Sequence, residues 1–265
     1  MTIEKPEHLF SRVSPDILPH LMFCVNETVA EDTREAFERD FPPEVLQWWS
    51  AVELSLADGI MCLHELRHAK TGELLSARLM VYYDARNKQE RPFVLAAWSV
   101  TPQGNPAANQ SIAGKGKGYG SLLLKLSVEM IRKNHPEVFA FVSEHQYNMY
   151  KDQPDKVAAL AKWHKRNGFA RVEDFHYEVP PFMPYEHAPD KYIPVYERGL
   201  PSPGELLILP LNQSQSITGE RLISIVERLY NFGYDVKYTD PYMTQRIDTI
   251  DRRKSYTLEN VTPLL

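Results

Sequence analysis

The amino-acid sequence predicts an α/β protein in which helices cover both faces of a mixed central sheet. Three observations support this fold class. Strand-like apolar runs alternate with amphipathic helical stretches over residues 1–200, an order that needs layers of both element types. A glycine-rich turn connects one of these strands to the helix that follows it. Apolar residues make up 43% and charged residues 25% of the 265-residue chain, as in ordinary globular domains.

The first two predicted elements are helices. Ser14-Pro15-Asp16 is a helix-start signal, and apolar residues at helical spacing follow it up to Val25. A second helix is predicted after Phe41-Pro42-Pro43, and Asp58-Gly59 marks its end.

The middle of the chain predicts a hairpin and a further strand. Residues 60–68 and 74–83 are strand-like, and a turn signal at residues 70–73 joins them. Residues 91–101 are predicted to form the next strand, which leads towards the glycine-rich turn.

Helices and strands then alternate up to residue 200. An amphipathic helix is predicted over residues 122–131, a short buried strand over 138–142 and a helix over 155–167. Residues 172–179 and 192–198 are predicted to form a final pair of strands around a proline-rich connection.

The sequence predicts a main domain over residues 1–200 and a C-terminal extension over residues 201–265, after a second proline-rich stretch. A strand over 205–211, a helix over 218–230 and a strand over 234–238 are predicted within the extension. About sixty residues are marginal for an independent core. We therefore expect the extension to dock on the main domain or on a second subunit, and the latter would make a homodimer.

The composition argues against several classes of partner. The net charge of −5 gives no reason to expect nucleic acid or an anionic membrane. Cys24 and Cys62 both lie in apolar sequence without metal-ligand spacing, so we expect buried thiols in a reducing compartment and no metal. The sequence shows no signal-peptide core and no apolar run of membrane-spanning length, and we expect a cytoplasmic protein.

The glycine-rich turn is the strongest functional signal. Four of the twelve glycines lie between Gly114 and Ser121, directly before a helix, with Lys115 and Lys117 among them. Amides without side chains at a helix N-terminus favour a ligand that carries phosphate. A Walker-type loop is excluded because no lysine separates Gly120 from Ser121, and the dinucleotide fingerprint fails on spacing. A glycine-rich surface turn, kept soluble by its lysines, is the alternative.

The segment from Lys115 to Gly120 resembles the pyrophosphate loop of the GCN5-related N-acetyltransferase family, which binds acetyl-coenzyme A. It fits the pattern of a basic or amide residue, two spacers, glycine, one spacer and glycine, with lysine where glutamine or arginine is usual. Val100-Thr101-Pro102 is similar to the strand end that precedes this loop, and the segment from Lys165 to Phe169 to the helix-to-strand junction. The resemblance extends over about residues 9–200 and includes the order of elements.

The resemblance implies how coenzyme A would bind. The strand that ends at Val100 would diverge from the strand at residues 138–142, so that its backbone pairs with the pantetheine amides. The amides of the glycine turn would meet the pyrophosphate, with help from Lys115. The expected cofactor-binding residues are therefore Trp98, Val100, Lys115, Gly116, Gly118, Gly120 and Ser121. Trp98 also fits a simpler interpretation, since a large apolar residue in a central strand is more often core.

The predicted catalytic residues are Glu144, His145 and His164. An acceptor amine needs a base before it attacks the thioester, and Glu144 at a strand end is the first candidate, with the adjacent His145 as the second. An exposed strand-end carboxylate is the alternative for Glu144. His164 occupies the slot in which the family commonly has a tyrosine that protonates the departing thiolate. Tyr147 or Tyr150 could supply the proton instead, or no acid is used.

Further departures from the family bear on these assignments. Residues 103–114 form an insertion before the glycine turn, and the usual asparagine of the last helix is replaced near Val157. His64 and Glu65 lie on a strand that borders the acceptor side in this fold, but a solvated strand face is the simpler expectation. Trp48-Trp49 could line an acceptor groove, although at least one of the two is expected in the core.

The sequence therefore predicts an acetyl-coenzyme A-dependent N-acetyltransferase that acts on a small-molecule or protein amine. The amine would attack the thioester directly, without a covalent acyl-enzyme. Two alternatives stay open at this level. The chain could use another acyl-coenzyme A, or it could be a non-catalytic sensor or partner-binding module that binds coenzyme A.

Overall fold

The molecule consists of two units built from strands and helices. The computed structural model describes residues 13–41, 49–82, 93–102, 113–146, 153–179, 185–188, 191–194, 202–212, 214–230 and 241–261. The chain forms two compact units, Met1–Val138 and Phe139–Leu265. Within the described ranges, each helix is too short or too polar to span a bilayer.

Among its described residues, the first unit contains four strands, three α-helices and one 3-10 turn. Their order is β1 (Leu21–Asn26), α1 (Glu31–Asp40), α2 (Trp49–Ala57), β2 (Met61–His68), β3 (Leu74–Tyr82), β4 (Phe93–Val100) and α3 (Tyr119–Asn134). The strands are neighbours in chain order, β1-β2-β3-β4, and every pair is antiparallel. The hairpin, β4 and α3 confirm the sequence prediction.

Helices cover both faces of the sheet in this unit. Successive side chains of a strand point to opposite faces. On one face, α1 and α2 pack on a cluster that includes Leu63, Leu79 and Val100. On the other, α3 packs with Leu66 and Leu75. The expected arrangement of helices on both faces of a sheet is therefore present.

The helix predicted from Ser14 onwards is wrong. Only Leu18–His20 is helical, as a single 3-10 turn, and the apolar run after it is β1. This strand pairs with β2 along its length, from Leu21 opposite His68 to Asn26 opposite Leu63. The spacing of apolar residues fits both element types, and the long-range strand pairing decides the outcome. The sequence prediction also missed α1, whose residues are mostly charged.

In the described part of the second unit there are eight strands and three α-helices. Its elements are β5 (Ala140–Gln146), α4 (Pro154–Arg166), β6 (Ala170–Val172), β7 (Tyr177–Val179), β8 (Tyr185–Ala188), β9 (Lys191–Pro194), β10 (Ser202–Pro210), β11 (Ser216–Thr218), α5 (Gly219–Arg228), α6 (Pro241–Asp248) and β12 (Ser255–Asn260). The main sheet has the order β5-β10-β6-β12-β11, β7 also pairs with β10, and β8 and β9 form a separate hairpin. These pairs are all antiparallel.

Strand β10 lies between β5 and β6, although it begins just beyond the predicted domain boundary at residue 200. It pairs with β5 from Gly204 opposite Gln146 to Pro210 opposite Ala140. It also pairs with β6 and β7. The first strand of the predicted extension is thus part of the same sheet as β5, while the domain boundary itself stays a prediction.

Some sequence predictions fall outside the described residues. These are most of the insertion at residues 103–114, the strand at 234–238, and Tyr147, Tyr150 and Trp48.

The predicted helix at 218–230 is confirmed as α5. Thr218 caps this helix through its hydroxyl, which accepts a hydrogen bond from the Arg221 amide at 3.4 Å.

Candidate active site

The glycine-rich turn of the first unit has a backbone that only glycine adopts without strain. Gly116 and Gly118 have φ angles of +88° and +89°. The left-handed region costs other residues about 1–2 kcal/mol each. Gly118 is also the N-cap residue of α3, and no side chain caps the helix there. A side chain at Gly116 would meet nothing within 4 Å, so the turn is open on that side.

The N-terminus of α3 is electrostatically suited to an anion. No acidic residue lies in its first turn, whereas Arg132 and Lys133 lie in its last turn. The aligned peptide dipoles place partial positive charge at the N-terminus of a helix. Among the described residues, the bare turn and the uncapped helix start together fit a phosphate-bearing ligand.

The two lysines of the turn have different partners. The ammonium group of Lys117 donates to the carbonyl oxygen of Ala113 at 3.1 Å and so folds back along the turn. The ammonium group of Lys115 lies 3.2 Å from a carboxylate oxygen of Asp40 at the end of α1, and its side chain is 54% exposed. Because Lys115 is exposed to solvent, this ion pair contributes little free energy. Lys115 can therefore exchange Asp40 for another anion at low cost.

Gly120 allows the first turn of α3 to lie against the end of β4. A Cβ atom at this position would come within 3.1 Å of the Thr101 hydroxyl oxygen and 3.9 Å of the Ser76 hydroxyl oxygen. Ser76 in turn donates to the carbonyl oxygen of Val100 at 2.8 Å. The glycines of the turn thus serve two purposes: Gly116 and Gly118 permit the backbone path, and Gly120 permits close packing.

Strand β4 is irregular beside the predicted cofactor residues. Leu79 pairs with Trp98 and the next residue, Met80, pairs with Ala96, so Ala97 is left over in the β3–β4 register. The Trp98 side chain packs against the cluster beneath α1 and α2. This partly buried packing favours the core interpretation of the Trp98 side chain, and a role for the Trp98 and Val100 backbone stays a prediction.

The second unit brings two of the predicted catalytic residues together. The rings of His145 and His164 lie edge to face, with centroids 4.5 Å apart. Both side chains are buried. Nδ1 of His164 lies 2.9 Å from the carbonyl oxygen of Leu160, which can only accept, so Nδ1 carries hydrogen. Nε2 faces the Ser143 hydroxyl at 3.4 Å.

Burial makes His145 a poor general base. Desolvation lowers its pKa from the usual value to about 4. At neutral pH the ring is uncharged, and it binds a proton only weakly. A base is most effective when its pKa lies near the working pH. The low pKa therefore argues against His145 as the base, and its catalytic role stays a prediction.

Glu144 points to the opposite face of β5 from His145, because neighbouring residues of a strand alternate. Its Oε1 accepts a hydrogen bond from the hydroxyl of Tyr177 on β7. Glu144 is half-buried, whereas Tyr177 is buried. The three predicted catalytic residues thus divide into a carboxylate on one face of the strand and a histidine pair on the other.

Sequence reasoning missed three residues of this region. Ser143 contacts His164, Tyr177 contacts Glu144, and the buried Glu205 on β10 pairs directly with His145 in the β5–β10 register. One signal was available for Glu205, namely a single carboxylate at the start of an apolar strand. The other two contacts depend on pairing between distant segments.

His64 and Glu65 do not lie on a solvated strand face, so that expectation is wrong. Both are buried. Nδ1 of His64 lies 2.8 Å from the Ser127 hydroxyl on α3. The Glu65 carboxylate accepts hydrogen bonds from Asn26, from Thr33 and from Arg67, and the guanidinium of Arg67 also binds Asp32. These are structural contacts that fix α1 and α3 on the sheet.

The two cysteines lie near the same network. Cys62 is buried and Cys24 is half-buried. Burial, with a smaller contribution from the charge of Glu65, raises the pKa of the Cys24 thiol. The thiol is therefore protonated at neutral pH. In the described part of the chain, no three His, Cys or acidic side chains converge as a metal site would require.

Comparison with known proteins identifies similar structures but no similar sequences. No protein-family model and no curated protein sequence matches the chain. A solved structure described as a GNAT-family acetyltransferase from Bacteroides thetaiotaomicron is 16% identical, with 81% of this chain and 99% of that chain covered and a TM-score of 0.45. A spermidine N-acetyltransferase from Vibrio cholerae is 10% identical, with 74% and 96% covered and a TM-score of 0.41.

A third similar structure is an aminoglycoside acetyltransferase in complex with coenzyme A and kanamycin. It is 14% identical, with 71% of this chain and 95% of that chain covered and a TM-score of 0.39. At these identities the similarity concerns the fold alone. The order of the chain's own elements, from the β2–β3 hairpin through β4, the glycine turn, α3, β5 and α4 to β6, is the order that the resemblance implied. The solved structures to which the chain is similar thus include acetyltransferases of the GNAT family.

Proposed function

We propose that the chain is an acetyl-coenzyme A-dependent N-acetyltransferase that acts on a primary amine. The observation that carries this proposal is the glycine turn before α3. Its positive φ angles, the uncapped helix start and the absence of acidic residues in the first helical turn favour an anionic ligand. Coenzyme A carries such an anion as its pyrophosphate.

The residues present fit this ligand. Gly116, Gly118, Gly120 and Ser121 would offer backbone amides, and the exposed Lys115 would exchange its partner Asp40 for a phosphate oxygen. Lys117 adds positive charge at the same turn. The backbone of Trp98 and Val100 would bind the pantetheine arm. When bound, the acetyl thioester supplies the acyl group that the amine nitrogen attacks directly.

Glu144 is the preferred general base in this proposal. Proton abstraction needs a fixed carboxylate, and the hydrogen bond from Tyr177 fixes this one. His164 is the preferred acid. Because it is buried, with Nε2 facing the Ser143 hydroxyl, it would deliver a proton through Ser143 rather than directly. His145 is the weakest of the three candidates because its pKa is about 4.

One observation favours a second function, that of a non-catalytic module which binds coenzyme A. Both candidate histidines are buried, and both rings pack against other aromatic rings or each other. Such packing also suits a purely structural pair. This alternative keeps the glycine turn as a ligand site and predicts binding without turnover.

A thermal-shift measurement with acetyl-coenzyme A, coenzyme A and NAD tests the cofactor. A ligand present at about 100 times its Kd stabilises the native state by about 2.7 kcal/mol. For a chain of this size, Tm should rise by roughly 5 to 10 °C. We expect this rise with both coenzyme A species and not with NAD. No rise with any of them would contradict the proposal.

Two glycine substitutions make the test specific. Gly118→Glu places a negative charge at the start of α3 and should abolish the rise. Gly59→Glu is the matched control, since Gly59 also has a positive φ, of +67°, and an open Cβ direction, but lies after α2. The Gly59→Glu protein should show the same rise in Tm with coenzyme A as the wild type. Thiol release from acetyl-coenzyme A in the presence of spermidine, kanamycin and a lysine peptide then separates an enzyme from a non-catalytic module.

A further inference from the structure

Tyr177 donates its hydroxyl hydrogen to the carboxylate of Glu144, the residue proposed above as the base. We propose that Tyr177 is a positioning residue that orients Glu144 and keeps its carboxylate ionised. The inference rests on the proposed function. A hydrogen bond donated to a carboxylate stabilises its charged form. A base must be ionised and correctly oriented before it can accept a proton from an amine.

The Tyr177 side chain reaches Glu144 across the strand that lies between them. Tyr177 lies on β7 and Glu144 on β5, with β10 between them. Two strand spacings separate β7 from β5, which is about 10 Å. Tyr177 pairs with Gly204, and Glu144 pairs with Leu206 two positions further along β10. The tyrosine must therefore reach across β10 on the face that Glu144 shares.

Gly204 lies where β10 packs closely against β7 beside Tyr177. A Cβ atom at this position would lie 2.5 Å from Cγ2 of Val179 and 3.4 Å from Cδ1 of Tyr177. The first distance is shorter than any real contact of a Cβ atom, so a side chain here would displace β7. The sequence supplies glycine at the one residue of β10 that is directly opposite the tyrosine.

The ring of Tyr177 is held in place from its other side. It is stacked on the ring of Tyr230, with centroids 6.0 Å apart and an angle of 27° between the planes. The hydroxyl of Tyr230 donates to the carbonyl oxygen of Glu178 at 2.9 Å, which anchors the second ring. Phe175 adds a third ring at 6.3 Å. A phenol fixed in this way can hold a carboxylate in a single orientation.

Tyr177→Phe is the test variant, because it keeps the ring and removes only the hydroxyl. Tyr256→Phe is the control, since Tyr256 is also buried and its hydroxyl contacts the Asp251 amide rather than Glu144. Thiol release from acetyl-coenzyme A is measured from pH 4 to 9 with spermidine, kanamycin and a lysine peptide as acceptors. We expect the acidic limb of kcat/KM to move up by about one pH unit in Tyr177→Phe only. The affinity for coenzyme A should not change.

A second measurement does not depend on turnover. The carboxyl carbon of Glu144 is followed by NMR in protein labelled at glutamate and assigned with Glu144→Gln. In Tyr177→Phe this carbon should titrate about one pH unit higher than in the wild type. Glu144→Gln can still accept the hydrogen bond from Tyr177, so it should fold normally and lose thiol release.

The outcomes distinguish the inference from the proposed function. If thiol release is observed and the acidic limb of Tyr177→Phe coincides with that of the wild type, the inference is wrong. If no acceptor supports thiol release, the proposed function fails, and the titration of Glu144 still decides whether Tyr177 keeps the carboxylate ionised. A titration unchanged by Tyr177→Phe overturns the inference in either case.

Discussion

Two buried histidines should make the protein less stable in mild acid. His64 is fully buried. The Ser127 hydroxyl donates its hydrogen to the carbonyl oxygen of Leu123, so Nδ1 of His64 is the donor in the hydrogen bond between His64 and Ser127. Nε2 of His64 is therefore an unprotonated nitrogen, and it has no hydrogen-bond partner among the described residues. Burial, followed by the charges of Arg78 and His135, lowers the pKa of His64 to about 3. Burial lowers that of His145 to about 4.

The sign of the effect follows from proton uptake. In the unfolded chain a histidine titrates near pH 6.5. Between this value and the lower pKa of the folded state, the unfolded chain binds more protons, so the free energy of unfolding falls as the pH falls. The loss continues to about pH 4 for His145 and about pH 3 for His64. At pH 5 it amounts to about 2 kcal/mol for each histidine. Total stabilities are about 5–15 kcal/mol, so this loss is measurable.

Urea unfolding at pH 7.5 and pH 5.0 tests this prediction. His64→Asn keeps a donor for Ser127 but cannot take up a proton, so its loss of stability between the two pH values should be smaller by about 2 kcal/mol than that of the wild type. His176→Asn is the control, because this histidine has a side chain that is 67% exposed. It should lose as much as the wild type. A loss in His64→Asn equal to that of the wild type would refute the reasoning.

Two further predictions concern the first unit. Arg67→Met removes the cationic partner of the buried Glu65 and should cost about 3–5 kcal/mol in urea unfolding, whereas Arg132→Met, which breaks an exposed pair, should cost less than about 1 kcal/mol. Equal costs would contradict the first prediction. Gly120→Ala should not stabilise α3 by itself, because the new Cβ would lie 3.1 Å from the Thr101 hydroxyl oxygen. Combined with Thr101→Ala it should recover about 1 kcal/mol of helix propensity, and a full gain without the second substitution would contradict the packing argument.

The elements that could be predicted from the sequence carry local signals. The β2–β3 hairpin has a turn between two apolar runs, and α3 follows a cluster of glycines and has a strong helical period. Strand β1 could not be predicted, because its apolar spacing also fits a helix and only its pairing with β2 distinguishes the two. Helix α1 was missed because only Thr33, Ala36 and Phe37 of its residues are buried.

The candidate site likewise has one part that local sequence predicts and another that depends on distant segments of the chain. The glycine turn is contiguous in sequence, so its position before α3 and its phosphate-type ligand can both be predicted from the amino-acid sequence alone. The environment of Glu144 depends on β10 and β7, which lie far along the chain, and no local pattern predicts that Tyr177 reaches it. The burial of His145, which lowers its pKa, likewise depends on α4 and β10, which lie further along the chain.

Calorimetric titration with coenzyme A and with pantetheine tests the central claim most directly, namely that the glycine turn before α3 binds the pyrophosphate. Pantetheine lacks the pyrophosphate and should bind at least about tenfold more weakly than coenzyme A. Gly118→Glu should weaken coenzyme A binding by about tenfold or more and leave pantetheine unaffected, while Gly59→Glu should change neither by more than about twofold. Equal affinities for the two ligands, or a Gly118→Glu protein that binds coenzyme A as the wild type does, would contradict the account.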